Sequence, residues 1–221
     1  MAPPLIYGVV ASPWTMRVVL ACAHKGVRHT LRMPEGGTRT PQYLALNPLG
    51  KMPTLVDGKL VLFESAALLE YLERKHRRRP LLPRTASAAA RARQIAAVCD
   101  AYLQDQAANL FRSLVGQRPD DPVYLDDLKA EIGRALDVLE GLLAKGRFAL
   151  GATFSLADCY LVPALYFTVR FAPKHGVADP LAGRVKLQRY WAGIRRHKTV
   201  APVLAGADAF FAERLKGTKA A

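Results

Sequence analysis

The chain has no stretch of about 18 consecutive apolar residues, the length a membrane-spanning helix needs, and its opening, MAPPLIYGVV, has neither the basic n-region nor the apolar h-region of a secretory signal. Those absences lead us to expect a cytoplasmic protein. Cysteine is scarce: Cys22, Cys99 and Cys159 are odd in number, far apart in sequence and without CxxC or other metal-ligand spacing. A disulfide framework and a zinc site are therefore not expected, and three buried thiols are. There is no internal repeat and no low-complexity tract. Acidic residues are short against basic ones, 18 to 32, which gives a net charge of +14. Such an excess suits anionic ligands or nonspecific nucleic-acid contact. It is dispersed, however, and its densest run, Arg74 to Arg79, ends a predicted helix, where cations complement the helix dipole and are usually just solvated. No aromatic residues interleave with that run, so nucleic-acid binding is a minor reading.

What is present fits a soluble globular chain: 221 residues, 51% hydrophobic and 23% charged, enough for one large domain or two modest ones. Leu5 to Val10 reads as a strand. Ala11-Ser12-Pro13-Trp14 breaks it, and Met16 to Lys25 turns helical with Val18, Val19 and Cys22 on one side. Gly26 ends that helix, Val27 to Met33 can form a second strand, and a short helix is expected around Pro41 to Ala45.

The stretch Asn47 to Ser65, NPLGKMPTLVDGKLVLFES, carries the most backbone chemistry. Thr54 to Val56 and Leu60 to Phe63 alternate as a hairpin around Asp57-Gly58. Before the hairpin, Met52-Pro53 loses a donor and can hold a cis bond that turns backbone groups toward an extended ligand. After it, Ser65 is placed to cap a helix bearing Ala66, Leu68, Leu69 and Leu72, and a capped helix start attracts carboxylates. Together these features would hold a short peptide by its main chain and anchor one carboxylate end. The plainer reading is a corner that serves only the fold.

The predicted order β-α-β-α-β-β-α gives a small mixed sheet in a thioredoxin-like layout, the first two strands parallel and the last two an antiparallel hairpin. After residue 79 the basic, proline-bearing RRPLLPRTAS reads as a linker, and no strand signal follows it. We expect a domain over residues 1–79, a linker over 80–86 and an all-helical domain over 87–221. Its helices are expected over Ala86 to about Gly116, over Val123 to Lys145 with Leu128, Ile132, Leu136 and Leu139 in one stripe, from Ser155 through Phe171, around Leu187 to Ile194, and over Val200 to Leu215. Ser155 and Asp158 form a capping-box variant, and Pro163 is a possible kink.

With these residues placed, the chain resembles the cytosolic glutathione transferases along essentially its whole length, in their serine-type (phi, tau, theta and zeta-like) branches. Ser12-Pro13-Trp14-Thr15-Met16-Arg17-Val18 is similar to the activating loop, Asn47 to Pro53 with Glu64-Ser65 to the glutathione site, and Ser155 to Asp158 to the capping motif of the helical domain. The resemblance implies a thioredoxin-like domain followed by an all-helical one, and an enzyme without a metal that conjugates glutathione to hydrophobic electrophiles, a detoxification chemistry. It implies Ser12 as the catalytic residue, its hydroxyl donating to the glutathione sulfur and favouring the nucleophilic thiolate. Lowering a thiol from about 8.5 by about two units asks roughly 2.7 kcal/mol of the site. Arg17 would brace the loop or support the thiolate. Met52 and Pro53 would meet the cysteinyl backbone, Glu64 and Ser65 the γ-glutamyl end, and Arg39 and Lys51 the glycyl carboxylate. Thr38 stands where some serine-type branches carry histidine, which puts that branch's glycyl contact in doubt. The electrophile would lie against Trp14, Tyr102, Phe111, Tyr166 or Phe167, any of which could equally be core. A homodimer is implied as well.

Each reading has a rival. Ser12 could be only an N-cap, since no His or Asp is patterned beside it for acyl transfer. Tyr7 could be the activating hydroxyl, as in other branches, but it sits within Leu5 to Val9, where a buried sheet position is expected. Arg39 and Lys51 could be surface charge. No cysteine stands near position 12, so thiol-transfer chemistry is not expected. A glutathione-dependent isomerase or dehalogenase would share the same sulfur chemistry, and a noncatalytic binding protein on the same fold would account for the high charge.

Overall fold

A computed structural model describes residues 2–218; the last three residues of the expected helical domain, 219–221, lie outside them. The chain forms two compact units, one made of residues up to Leu81 together with those from Lys198 onward, the other of Leu82–His197.

In the first unit the order is β1 (Leu5–Tyr7), α1 (Pro13–Lys25), β2 (Thr30–Arg32), α2 (Pro41–Leu44), β3 (Thr54–Asp57), β4 (Leu60–Phe63) and α3 (Ser65–Lys75). The sheet runs β2-β1-β3-β4, with β1 parallel to β2, antiparallel to β3, and β3 antiparallel to β4, the thioredoxin-like arrangement the order predicts. Ile6 pairs with Leu55, and both are fully buried with Met16, Leu20, Leu68 and Leu72 from α1 and α3.

Each helix of this unit is defined by its ends. Pro13 opens α1 behind Ser12, and Gly26 closes it in a left-handed conformation at φ 71°, its N–H reaching the Cys22 carbonyl. The Val27 N–H also goes to that carbonyl, at 2.9 Å. That donor is spent on the helix, and β2 begins at Thr30, opposite Leu5 at the start of β1. Lys25 is buried at the end of α1. Its Nζ donates to the His76 carbonyl at 2.8 Å and pairs with Glu73 at 2.6 Å, fixing the end of α1 to the end of α3. The hairpin turn falls one residue later than its sequence suggests: Asp57 pairs with Leu60 in the ladder, and Gly58, at φ 63°, takes the bend. The Asp57 carboxylate accepts from Tyr71 Oη and Lys75 Nζ on α3, which holds Asp57 in the strand.

The second unit is built on helices, α4 (Ala86–Val98), α5 (Asp105–Leu114), α6 (Pro122–Leu142), α7 (Leu156–Phe171) and α8 (Val185–Ile194), with one isolated β-bridge, Phe148 to Gly151, in the loop before α7. The long stretch expected from Ala86 is one run interrupted by a π-helical segment, Cys99–Gln104, between α4 and α5. Leu128, Ile132, Ala135, Leu136 and Leu139 form the buried stripe of α6. α7 is buried nearly all round and runs through Pro163. At its start Asp158 accepts from the Ser155 N–H at 2.8 Å, Ser155 Oγ at 2.9 Å, the Ala149 N–H at 2.9 Å and Tyr190 Oη at 3.0 Å. The capping box is thereby extended to the loop before α7 and to α8.

The last helix, α9 (Ala201–Thr218), follows the helical half in sequence, within the 87–221 span, but groups with the first unit. Val203, Leu204, Ala207 and Phe211 are buried, and a Cβ on Gly206 would stand 3.4 Å from Val10 Cγ1. Its apolar stripe covers α1 and the loop before it.

Candidate active site

The loop after β1 delivers Ser12 to the start of α1. Ser12 has extended backbone (φ −81°, ψ 125°), and its Oγ accepts from the Thr15 N–H at 3.5 Å. The helix-capping role is therefore real, but it uses only a lone pair. Among the described residues Ser12 Oγ donates to no acceptor, so its proton is available to a ligand. Trp14, in the first turn of α1, is half-buried, and Thr15 is fully buried.

Arg17, one turn further along, is the largest fully buried side chain among the described residues. Its Nη1 donates to Ser65 Oγ at 3.4 Å, the first residue of α3. Glu64 before it is exposed and holds φ 69°, a left-handed value uncommon outside glycine. Side chains in that conformation cost about 1–3 kcal/mol and cluster at ligand sites. The expectation that Ser65 caps α3 is corrected: Ser65 is the first residue of the helix, the cap position is Glu64, and no side chain caps it, so the first N–H groups stay open to an anionic group.

The segment that would meet a peptide backbone is held from beneath. Met52-Pro53 is cis. The Lys51 carbonyl accepts from Tyr43 Oη at 2.6 Å and from Asn47 Nδ2 at 2.9 Å, and the same two groups reach Thr54 Oγ1 at 2.8 and 3.0 Å. Burial pushes the Tyr43 hydroxyl above its ordinary range. Tyr43 is a residue the sequence reading missed. The only available signal was an aromatic on a helix too short to need a core anchor of its own. Arg39 and Lys51 are exposed, yet Arg39 is brought to the loop: its Nη1 lies 2.9 Å from the place a Cβ on Gly50 would occupy, and Thr38 O lies at 2.9 Å from the same point. With φ 58°, Gly50 admits this approach because it has no side chain.

Tyr7 is corrected in one respect: it closes β1 half-buried instead of sitting buried inside it. Its ring meets Tyr43 edge-on at 5.7 Å, on the wall of a hollow shared with Pro34, Thr40 and Leu46. Of the apolar candidates in the helical unit, Tyr102 is 65% exposed, Phe111 is half-buried, and Tyr166 and Phe167 are buried. Phe111 meets Phe167 at 6.4 Å and Phe171 at 5.0 Å, and Tyr166 meets Phe167 at 5.9 Å. Core packing claims Tyr166 and Phe167, which leaves Tyr102 as the open aromatic. All three cysteines are buried thiols outside any disulfide, and burial pushes the Cys22 thiol up to about 12, far from nucleophilic use. Among the described residues no helix is long and apolar enough to cross a membrane, and no cluster of three His, Cys, Asp or Glu side chains is placed to hold a metal.

Residues 11–75 match the family model of the glutathione S-transferase N-terminal domain, and residues 84–192 that of the C-terminal domain. The chain is 34% identical over 218 residues to a glutathione S-transferase 3 of Zea mays, covering 92% of this chain and 96% of that one. It is 34% identical over 176 residues to a maleylacetoacetate isomerase of Pseudomonas aeruginosa, covering 75% and 82%. Among solved structures, a glutathione S-transferase III in apo form superposes with a TM-score of 0.77 at 31% identity, over 92% of this chain and 96% of that one.

Proposed function

The chain belongs to the cytosolic glutathione transferase family, and we propose that it activates glutathione through the Ser12 hydroxyl and conjugates the resulting thiolate to a hydrophobic electrophile. It is a transferase by that membership. The observation that carries the assignment of Ser12 is its uncommitted hydroxyl proton at the start of α1. The Thr15 N–H polarises Oγ, and the Oγ proton is left to meet a sulfur anion as a charge-assisted hydrogen bond. Glutathione would lie along Met52-Pro53, with its γ-glutamyl carboxylate at the open start of α3 beside Ser65 and its ammonium at Glu64. Arg39 and Lys51 would face the glycyl carboxylate. The residues present fit such a ligand: an uncapped helix start for one anion and an arginine folded over Gly50 for the other.

Tyr102, exposed, and Phe111, half-buried, are the aromatic candidates of the helical unit for contact with the electrophile. A homodimer, a cytoplasmic location and a detoxification role belong to the same reading.

The likeness to a maleylacetoacetate isomerase favours one second reading, a glutathione-dependent isomerase that uses the same thiolate. Product analysis separates the two, since an isomerase regenerates glutathione and a transferase consumes it. The primary test is the ultraviolet absorbance of bound glutathione thiolate against pH, in wild type and in Ser12→Ala. A bound thiol that ionises below the free one only in wild type supports the proposal. An unshifted thiol with tight binding would point to a carrier.

A further inference from the structure

The basic run at the end of α3 is exposed, but its backbone is held in place. It forms one wall of a cleft of about 670 Å³ at the far end of the first unit, lined by Pro3, Pro4, Lys25, Arg28, Asp57 and the segment from Lys75 to Arg79. The segment is tethered there by its backbone. The His76 and Arg79 carbonyls both accept from the buried Lys25 Nζ, at 2.8 and 3.4 Å, and Arg79 Nη1 donates back to the His24 carbonyl at 3.2 Å. Arg79 holds φ 50°, a conformation uncommon for a residue with a side chain, which turns the arginine run over the end of α1.

Two of the lining cations are already neutralised, Lys25 by Glu73 and Lys75 by Asp57. Four guanidinium groups, those of Arg28, Arg77, Arg78 and Arg79, are left with no carboxylate partner, and Arg28, Arg77 and Arg78 make no hydrogen bond or ion pair among the described residues. His76, in the same wall, has its Nε2 shielded from solvent and without a hydrogen-bond partner. Like charges gathered on a fixed scaffold repel one another, and a bound anion relieves that repulsion. The cleft volume is that of a small-molecule site, and guanidinium groups match phosphate oxygens in bidentate geometry.

We propose that this cleft binds a compact polyanion of the oligophosphate type, at a site separate from that for glutathione. α1 and α3 both start at the glutathione end and finish at the cleft. At 1.5 Å per residue the two sites are about 15–20 Å apart. Phosphate is favoured over carboxylate because several forked donors line the cleft with no aromatic ring among them, so recognition rests on dense charge and on the guanidinium forks. The same chemistry could be presented by a free oligophosphate or by the phosphate tail of a nucleoside triphosphate.

The test is titration calorimetry of the full chain with inorganic tripolyphosphate and, separately, with a nucleoside triphosphate, at low and at physiological salt. Saturable binding that weakens with salt is expected for tripolyphosphate, and comparable affinity for the nucleotide would place recognition in the phosphates alone. Arg28→Ala/Arg77→Ala/Arg78→Ala should weaken binding about tenfold or more, and the corresponding triple lysine variant, which keeps the charge but not the forks, should fall between it and wild type. Both variants should bind glutathione as wild type does, because Ser12 and Ser65 lie at the other ends of the helices. Absence of binding by both phosphate probes, or binding unchanged in the alanine variant, overturns the proposal. So does arginine-dependent binding of duplex DNA that tripolyphosphate fails to compete, since the partner would then be a nucleic acid.

Discussion

Arg17 donates from Nη1 to Ser65 Oγ at 3.4 Å, across 48 positions of sequence and with no exposure to solvent. One buried guanidinium thus joins the helix that presents Ser12 to the helix whose open start would receive the glutamyl carboxylate. A lysine ammonium, which reaches less far than the guanidinium Nη1, cannot reproduce that bond. Arg17→Lys should therefore lower thermal stability, by about 1–3 kcal/mol, and raise the KM for glutathione more than it lowers kcat. Melting curves and steady-state kinetics read the two effects. A lower melting temperature with an unchanged KM would make Arg17 a purely structural residue.

Ser12→Ala removes both a cap and a donor. The cap bond is long, 3.5 Å, so its loss should cost under about 1 kcal/mol of stability. The donor matters more. Deleting a hydrogen bond to a developing anion costs about 10²–10³ in rate, and kcat/KM with a model electrophile should fall on that scale. Comparable stability with activity within threefold of wild type would return Ser12 to a capping role.

Tyr43 and Asn47 both reach the Lys51 carbonyl and Thr54 Oγ1. Each single change, Tyr43→Phe or Asn47→Ala, leaves one partner in place and should cost about 1 kcal/mol. The double variant strips both acceptors and should lose more than the sum, because buried polar atoms are then left unmatched. Urea denaturation of the four proteins of this cycle measures the excess; strict additivity would show that the two side chains act separately.

Burial raises Asp158 from an ordinary 3.8 to about 6, even though it accepts four hydrogen bonds. The native state consequently holds the proton more tightly than the unfolded chain does. That stabilisation is complete below about pH 4 and is lost as pH rises through about 6, amounting to about 3 kcal/mol over the window. Stability relative to Asp158→Asn, measured by denaturant titration at several pH values, should decline across that range and stay flat above it. A difference independent of pH would contradict the shift.

Much of the site was legible in sequence because its parts are local. Ser12 followed by proline, Pro53 before a strand, Ser65 ahead of a leucine stripe and Ser155 three residues before Asp158 each announce a backbone event within one turn of themselves. Features that depend on distant partners were not. Asp57 looks like a turn residue until Tyr71 and Lys75 draw it into the strand. Tyr43 has no local pattern that predicts its reach to Lys51. The π-helical segment Cys99–Gln104 follows no periodicity break in the chain. The basic run after Arg74 reads as solvated because the groups that fix its backbone, Lys25 and the His24 carbonyl, lie some fifty residues earlier.

The position of α9 reverses the order in which this chain can be completed. A ribosome releases β1, α1, the hairpin and α3 first, yet part of the covering of α1 and Val10 is encoded by the final helix. Domains that fold during synthesis usually close as they emerge. Here the first unit stays open on one flank until the whole helical unit has been made, so nascent chains halted before Ala201 would carry an α1 with an unsheltered apolar flank, the kind of surface chaperones recognise.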